Sequence, residues 1–101
     1  MKRLTLHPEA EEELRTSERF YEEHGGHDLA LDFLRRVESG LHRVAADPQR
    51  FTHAPKYHRV QKCRLTRFPF SLYYIERTED VWVIAVAHHR RRPGYWKERV
   101  V

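Results

Sequence analysis

The sequence predicts an α+β domain, and three observations carry that prediction. Two consecutive segments in the first half repeat apolar residues at helical spacing. The second half changes to short runs rich in β-branched and aromatic residues. The links between these runs are a few residues long, which favours antiparallel neighbours. At 101 residues the chain is sized for one domain, 1–101, with one compact core.

The elements follow in order. Residues 3–7 (RLTLH) alternate apolar and polar, as in a short strand. Pro8 suits the first position of a helix, where its missing N–H costs nothing. Glu9, Glu11, Glu12 and Glu13 place negative charge where the helix dipole favours it. Ala10, Leu14, Ser17 and Tyr21 share a face, with Phe20 alongside, and Gly25-Gly26 ends the helix. A second helix is expected from about Asp28 to Ala46, with Ala30, Leu34, Val37, Leu41 and Val44 as its stripe, widened by Phe33 and Ala45. Asp47-Pro48 stops it. The short glycine connection implies an antiparallel helix hairpin.

Three strands of a meander follow: residues 58–67, 70–76 and 81–88. Phe68-Pro69 turns between the first two, and Arg77-Thr78-Glu79-Asp80 forms a polar hairpin loop. The last run, VWVIAVAH, is apolar on both faces, as in a central strand. The helix hairpin covers one sheet face. The other face calls for an occupant, which could be a protein partner or a second copy. Phe70, Tyr73, Tyr74 and Trp82 read as core rather than as a cofactor box. A short tail or helix closes the chain.

Charge divides the molecule. Residues 1–50 carry 8 Lys/Arg against 11 Asp/Glu, and residues 51–101 carry 11 against 4. A basic half beside an acidic half points to a polyanion or an acidic protein as partner. No apolar run approaches the ~20 residues of a membrane helix, and MKRLTLHPEAEEEL has no signal-peptide core. The expected location is the cytoplasm, and the single Cys63, read as a small hydrophobe, agrees with a reducing compartment. The eight histidines lack a zinc-like set, so neither a metal nor another cofactor is expected. Gly-rich phosphate loops, serine elbows and carboxylate pairs in apolar settings are absent from the sequence.

The cationic residues form two groups. Lys62 and Arg64 are two apart on one strand and share a face, opposite Cys63 and Leu65, with Arg67 at the strand's end. Such a face suits phosphate binding. Arg90, Arg91, Arg92, Tyr95, Trp96 and Lys97 form the densest basic and aromatic cluster, suited to binding a target or an acidic partner. Trp96 is expected to pack on the sheet; the arginines could pair with the first helix's glutamates, but at least one of Arg90, Arg91 and Arg92 is expected to remain available to a partner.

Three segments, in this order, resemble the RelE/ParE toxins of type II toxin–antitoxin systems. They are HPEAEEEL with FYEEHGG, then RLTRFPFSLYYIE, then VWVIAVAHHRRRPGYW. The match is with the ParE-like, plasmid-stabilisation branch. There an Arg-Phe-Pro-Tyr-Ser-Ile-Tyr-Tyr type segment is paralleled by Arg67-Phe68-Pro69-Phe70-Ser71-Leu72-Tyr73-Tyr74. A histidine followed by arginines, a proline and a tryptophan is paralleled by His88-His89-Arg90-Arg91-Arg92-Pro93-Gly94-Tyr95-Trp96. The resemblance implies growth inhibition, and an antitoxin that wraps the toxin. It also implies one of two targets: DNA gyrase for ParE-like members, or messenger RNA in the ribosomal A site for RelE-like nucleases.

Whether the chain is an enzyme depends on that choice. For a nuclease, the resemblance would put Lys62, Arg64, His89 and Tyr95 at the chemistry. Where RelE-like enzymes carry one arginine this chain has Ser71, and where they carry another it has His89. Ser71 cannot supply an arginine's charge, which favours the gyrase-binding reading. A non-toxic relic that only binds its partner is the third reading. Homodimer and toxin–antitoxin hetero-oligomer both remain open.

Overall fold

The computed structural model describes residues 1–100. It has two helices and one five-stranded sheet, with strands in the order β1-β5-β4-β3-β2. Strand β1 (Arg3–Leu6) is followed by α1 (Pro8–Gly25) and α2 (His27–Ala46). A 3-10 turn at Pro48–Arg50 leads to β2 (Thr52–Ala54), β3 (Tyr57–Arg64), β4 (Phe70–Glu76) and β5 (Asp80–His88). A tail closes on a 3-10 turn, Lys97–Val100.

The hairpin and the antiparallel meander of β3, β4 and β5 agree with the sequence reading. Pro8 opens α1, and the His7 ring completes the cap by accepting from the Glu9 amide at 3.0 Å. Gly26, at φ 90, makes the turn between the helices. The sheet is wider than expected. The terminal strand joins it in parallel beside β5, pairing Leu4 with Val81 and Leu6 with Val83. The short β2 adds a second edge. The first meander strand stops at Arg64 instead of running to 67. Leu65–Pro69 turns back, with Arg67 in the left-handed region at φ 70 and the Leu65 amide donating to the Phe70 carbonyl.

The sheet is apolar on both faces. On one, α1 and α2 bury Ala10, Phe33, Val37 and Val44 against Cys63, Leu65, Leu72, Tyr74, Val81, Val83 and Val86. Gly40 lets α2 approach closely, because a Cβ there would meet Leu65 Cδ2 at 2.9 Å and Leu72 Cδ1 at 3.0 Å. Phe20, placed beside the stripe, is instead 52% exposed.

The second face holds Val60, Ile75, Ile84, Ala85 and Ala87. A bulge contributes to it: Tyr73 pairs with Ala85 and Tyr74 with Val83, leaving Ile84 as the extra residue. Ile84 and Ala85 therefore both turn to this face. The expectation of an external occupant here is corrected in part. The chain's own tail crosses the face, and Trp96, 2% exposed, lies against Tyr57 and Tyr73 with ring centroids 4.9 and 5.0 Å away. Gly94 permits this crossing, with φ 77 and its Cα turned toward the Tyr57 ring.

Candidate functional site

Strands β3 and β4, the end of β5 and the tail enclose a cleft of about 370 Å³. Its walls include Lys62 and Arg64 from β3, Ser71 and Tyr73 from β4, and His89, Arg91, Arg92 and Tyr95 from the tail. Among the described residues, no carboxylate lines it. The alternation of β3 produces this arrangement. Cys63 and Leu65 point into the helix-side core, so Lys62 and Arg64 point to the tail side. Among the described residues, Lys62, Arg64 and Arg92 have no carboxylate within ion-pair distance.

Pairing of β4 with the end of β5 brings Ser71 and His89 together. Ser71 Oγ and His89 Nε2 share a hydrogen bond of 3.1 Å, and the His89 amide donates to the Pro69 carbonyl. Burial pushes the His89 pKa below the ordinary histidine value, and Arg64, His88 and Lys62 push it the same way. A hydrogen bond with the Phe70 backbone opposes them without reversing the shift. The ring is therefore neutral at neutral pH, inside a positive field. The adjacent His88 takes the other direction and stacks edge-on against Phe70.

Tyr95 is fixed by a different set of groups. Its hydroxyl donates to Glu13 Oε2 at 2.7 Å. Arg91 lies over its ring at 3.7 Å, and Arg99 also faces it, at 5.1 Å. Burial raises the phenol's pKa well above the ordinary tyrosine range, and the Glu13 hydrogen bond and charge raise it further. The positive Arg99 and Arg91 only partly offset this. The phenol keeps its proton throughout the physiological range.

The structure thus gathers Lys62, Arg64, Arg91, Arg92, His89 and Tyr95 around one cleft. Arg67 stands apart, on the helix side, in an ion pair with Asp32 of α2 at 3.3 Å. Trp96 touches the cleft, but its ring is buried as an anchor rather than offered to a partner. Arg90 and Lys97 are exposed outside the cleft lining.

Sequence reasoning overlooked Glu13 and Arg99. Glu13 is one of several glutamates opening α1, yet its side chain is only 15% exposed and that of Arg99 9%. The one signal was spacing. Position 13 lies three residues after Ala10 and four before Ser17, on the buried face of the helix. A second groove, of about 460 Å³ and mostly apolar, runs between α1 and the sheet past Phe20, Tyr21, Phe70 and Val86.

Comparison with known proteins bears on this architecture. Residues 4–93 match the model of a family described as the ParE toxin of the type II toxin–antitoxin system parDE. Among solved structures, the chain is similar to one titled as the chromosomal ParDE toxin–antitoxin system from P. aeruginosa. The TM-score is 0.76 at 17% identity, covering 87% of this chain and 96% of that one. At that identity the likeness concerns the fold. Comparison with curated proteins gives no significant match.

Proposed function

Because the chain belongs to the ParE toxin family of type II toxin–antitoxin systems, we propose that it arrests growth by binding its target rather than by cutting RNA, and that the target is DNA gyrase. The observation that carries this reading is the state of Tyr95. A phenol that donates to Glu13, with a pKa raised far above neutrality, is poorly placed to accept a proton from a ribose hydroxyl. Ser71 removes a further cation from the place where a cleavage transition state would need it. What the cleft retains is unpaired positive charge on a preorganised frame, which suits the capture of an acidic surface.

On this reading the protein acts in the cytoplasm without a cofactor, and a cognate antitoxin silences it. The apolar groove beside Phe20 remains open for that partner. The basic residues Arg64, Arg91 and Arg92 meet the target. Lys62 and Arg64 supply the positive floor, while Arg67, paired with Asp32 on the helix side, takes no part in the cleft.

One arrangement favours a second reading, a ribosome-dependent nuclease. A neutral His89 stands beside Arg64 and Lys62 in a cleft that no carboxylate of the described residues lines, and it could exchange a proton next to a bound phosphate. Inducible expression in a host lacking any antitoxin separates the readings, with growth, plasmid supercoiling and translation followed together. Loss of supercoiling or broken DNA, ahead of any translational stop, is the expected result. Immediate translational arrest with cut messenger RNA, abolished by His89→Gln, would overturn it in favour of the nuclease. Normal growth would point to a non-toxic relic that binds only its partner.

A further inference from the structure

Strand β1 ends at Leu6, and the chain turns away into α1 after the His7 amide has bonded to the Val83 carbonyl at 2.8 Å. Beyond that point, among the described residues, the edge of β5 has no strand beside it. Two side chains take its place. Arg99 Nη1 donates to the Ile84 carbonyl at 2.9 Å, and the Val86 amide donates to Glu13 Oε1 at 3.0 Å. The same two residues pair with each other through two contacts, Nη1 to Oε1 at 3.0 Å and Nη2 to Oε2 at 2.9 Å. Tyr95 adds its hydroxyl, and Arg91 Nη1 lies 3.8 Å from Oε2.

A single carboxylate therefore joins three separate parts of the chain: helix α1, the open edge of β5 and the tail. Tyr95 and Arg91 are also walls of the cationic cleft. Glu13 itself is not among the residues lining that cleft; it lines the groove on the helix side. Its influence on the cleft must pass through the residues it holds.

We propose that Glu13 is a positioning residue of the target-binding surface, setting the orientation of Tyr95 and Arg91 at the cleft from the opposite side of the sheet edge. This rests on the reading that the cleft meets the target. A staple needed only for folding would not require the phenol, because the Val86 and Arg99 contacts already secure the strand edge and the tail. The Tyr95 link adds the connection to the cleft wall. Arg91 stacked on the Tyr95 ring then carries the orientation outward.

The test uses the full-length chain in four forms: wild type, Glu13→Gln, Tyr95→Phe and the double variant. Glutamine keeps an oxygen for the Val86 amide but loses the charge that holds Arg99 and Arg91. Phenylalanine removes only the hydroxyl. Amide hydrogen exchange is followed at Tyr95, Lys97 and Arg99, whose N–H groups bond within the tail, and at core amides of α2 and β3. Growth arrest is scored by the inducer dose required, whatever the target.

Glu13→Gln should speed tail exchange on the order of tenfold, with the α2 and β3 amides unchanged. Each single variant should weaken arrest, and the double variant should be no weaker than the worse single one. Multiplying effects would overturn the proposal, since Glu13 would then act independently of Tyr95. So would arrest at wild-type dose despite a loosened tail, or an unchanged tail. If the wild type fails to arrest growth, the functional reading falls. The exchange data still decide whether Glu13 holds the Tyr95 segment, and unchanged exchange refutes the proposal on its own.

Discussion

The two faces of the sheet are covered in opposite ways. Helices α1 and α2 close one face with a continuous apolar layer, in which Phe33 and Tyr21 interleave with Phe68 and Phe70. A short tail closes the other, held by one buried tryptophan and a polar clip at the sheet edge. The helix face gains its stability from buried area, which is non-directional. The tail face depends on a few directional contacts, so it can place charged side chains accurately while remaining easier to open. On the proposed reading growth arrest depends on the less robust face, because that face carries the cations of the cleft.

The largest expected effect breaks the helix face. Phe33→Ala removes a fully buried ring from the centre of the aromatic cluster and should cost about 4 kcal/mol. Urea denaturation should show helix and sheet signals lost together at a lower midpoint. A loss confined to the tail would contradict the division drawn between the faces.

Trp96→Ala should cost somewhat less, about 3 kcal/mol, because a freed tail can relax away from the space the ring occupied. Its signature should be local: rapid exchange at the tail amides, with the α2 amides falling only as far as global stability falls. Toxicity should drop with it. Equal loss of protection everywhere would mean that the two faces fold as one unit.

The smallest effect concerns pH. His89 has a folded pKa below its unfolded value near 6.5, so the folded state resists its protonation. Its contribution is fully present above about pH 6.5 and is lost as pH falls below that value toward the folded pKa. In His89→Gln this dependence should vanish. The wild-type urea midpoint should therefore fall relative to that of the variant as the solution is taken from about pH 7.5 to about pH 5.5. A constant difference would show that the His89 charge state is not coupled to folding.

The helix face was the more legible of the two. The stripe of Ala30, Val37 and Val44 with Phe33 is a periodic signal, and periodicity survives translation into structure because the helix repeats one geometry. The tail face depends on single events without a period. The Ile84 bulge changes which residues face inward, and no local residue pattern announces it. The width of the sheet was equally hidden: β1 pairs with a strand more than seventy residues later, and β2 spans only three residues. Within the site, Lys62 and Arg64 are legible from alternation, and Ser71 and His89 from their departure from the RelE-like pattern, whereas the hydrogen bond between them depends on the pairing of β4 with β5. Arg67 was misplaced because a left-handed turn residue looks like the continuation of a strand. Glu13 was hidden among similar neighbours, since its role comes from contacts with residues 86, 95 and 99, far along the chain.

Cys63 gives the molecule a built-in clock. It is the chain's one cysteine, lies fully buried under the helices, and burial raises its thiol pKa against the lowering influence of Arg43 and Arg50. Thiolate is the form that reacts with alkylating reagents, so the folded protein should be nearly inert to them. When opening and reclosing are fast compared with alkylation, the labelling rate measures the fraction of time for which the helix layer stands lifted from β3. Mass spectrometry after timed exposure would thus follow one face of the sheet without any engineered probe, while the detachment of the tail passes unrecorded.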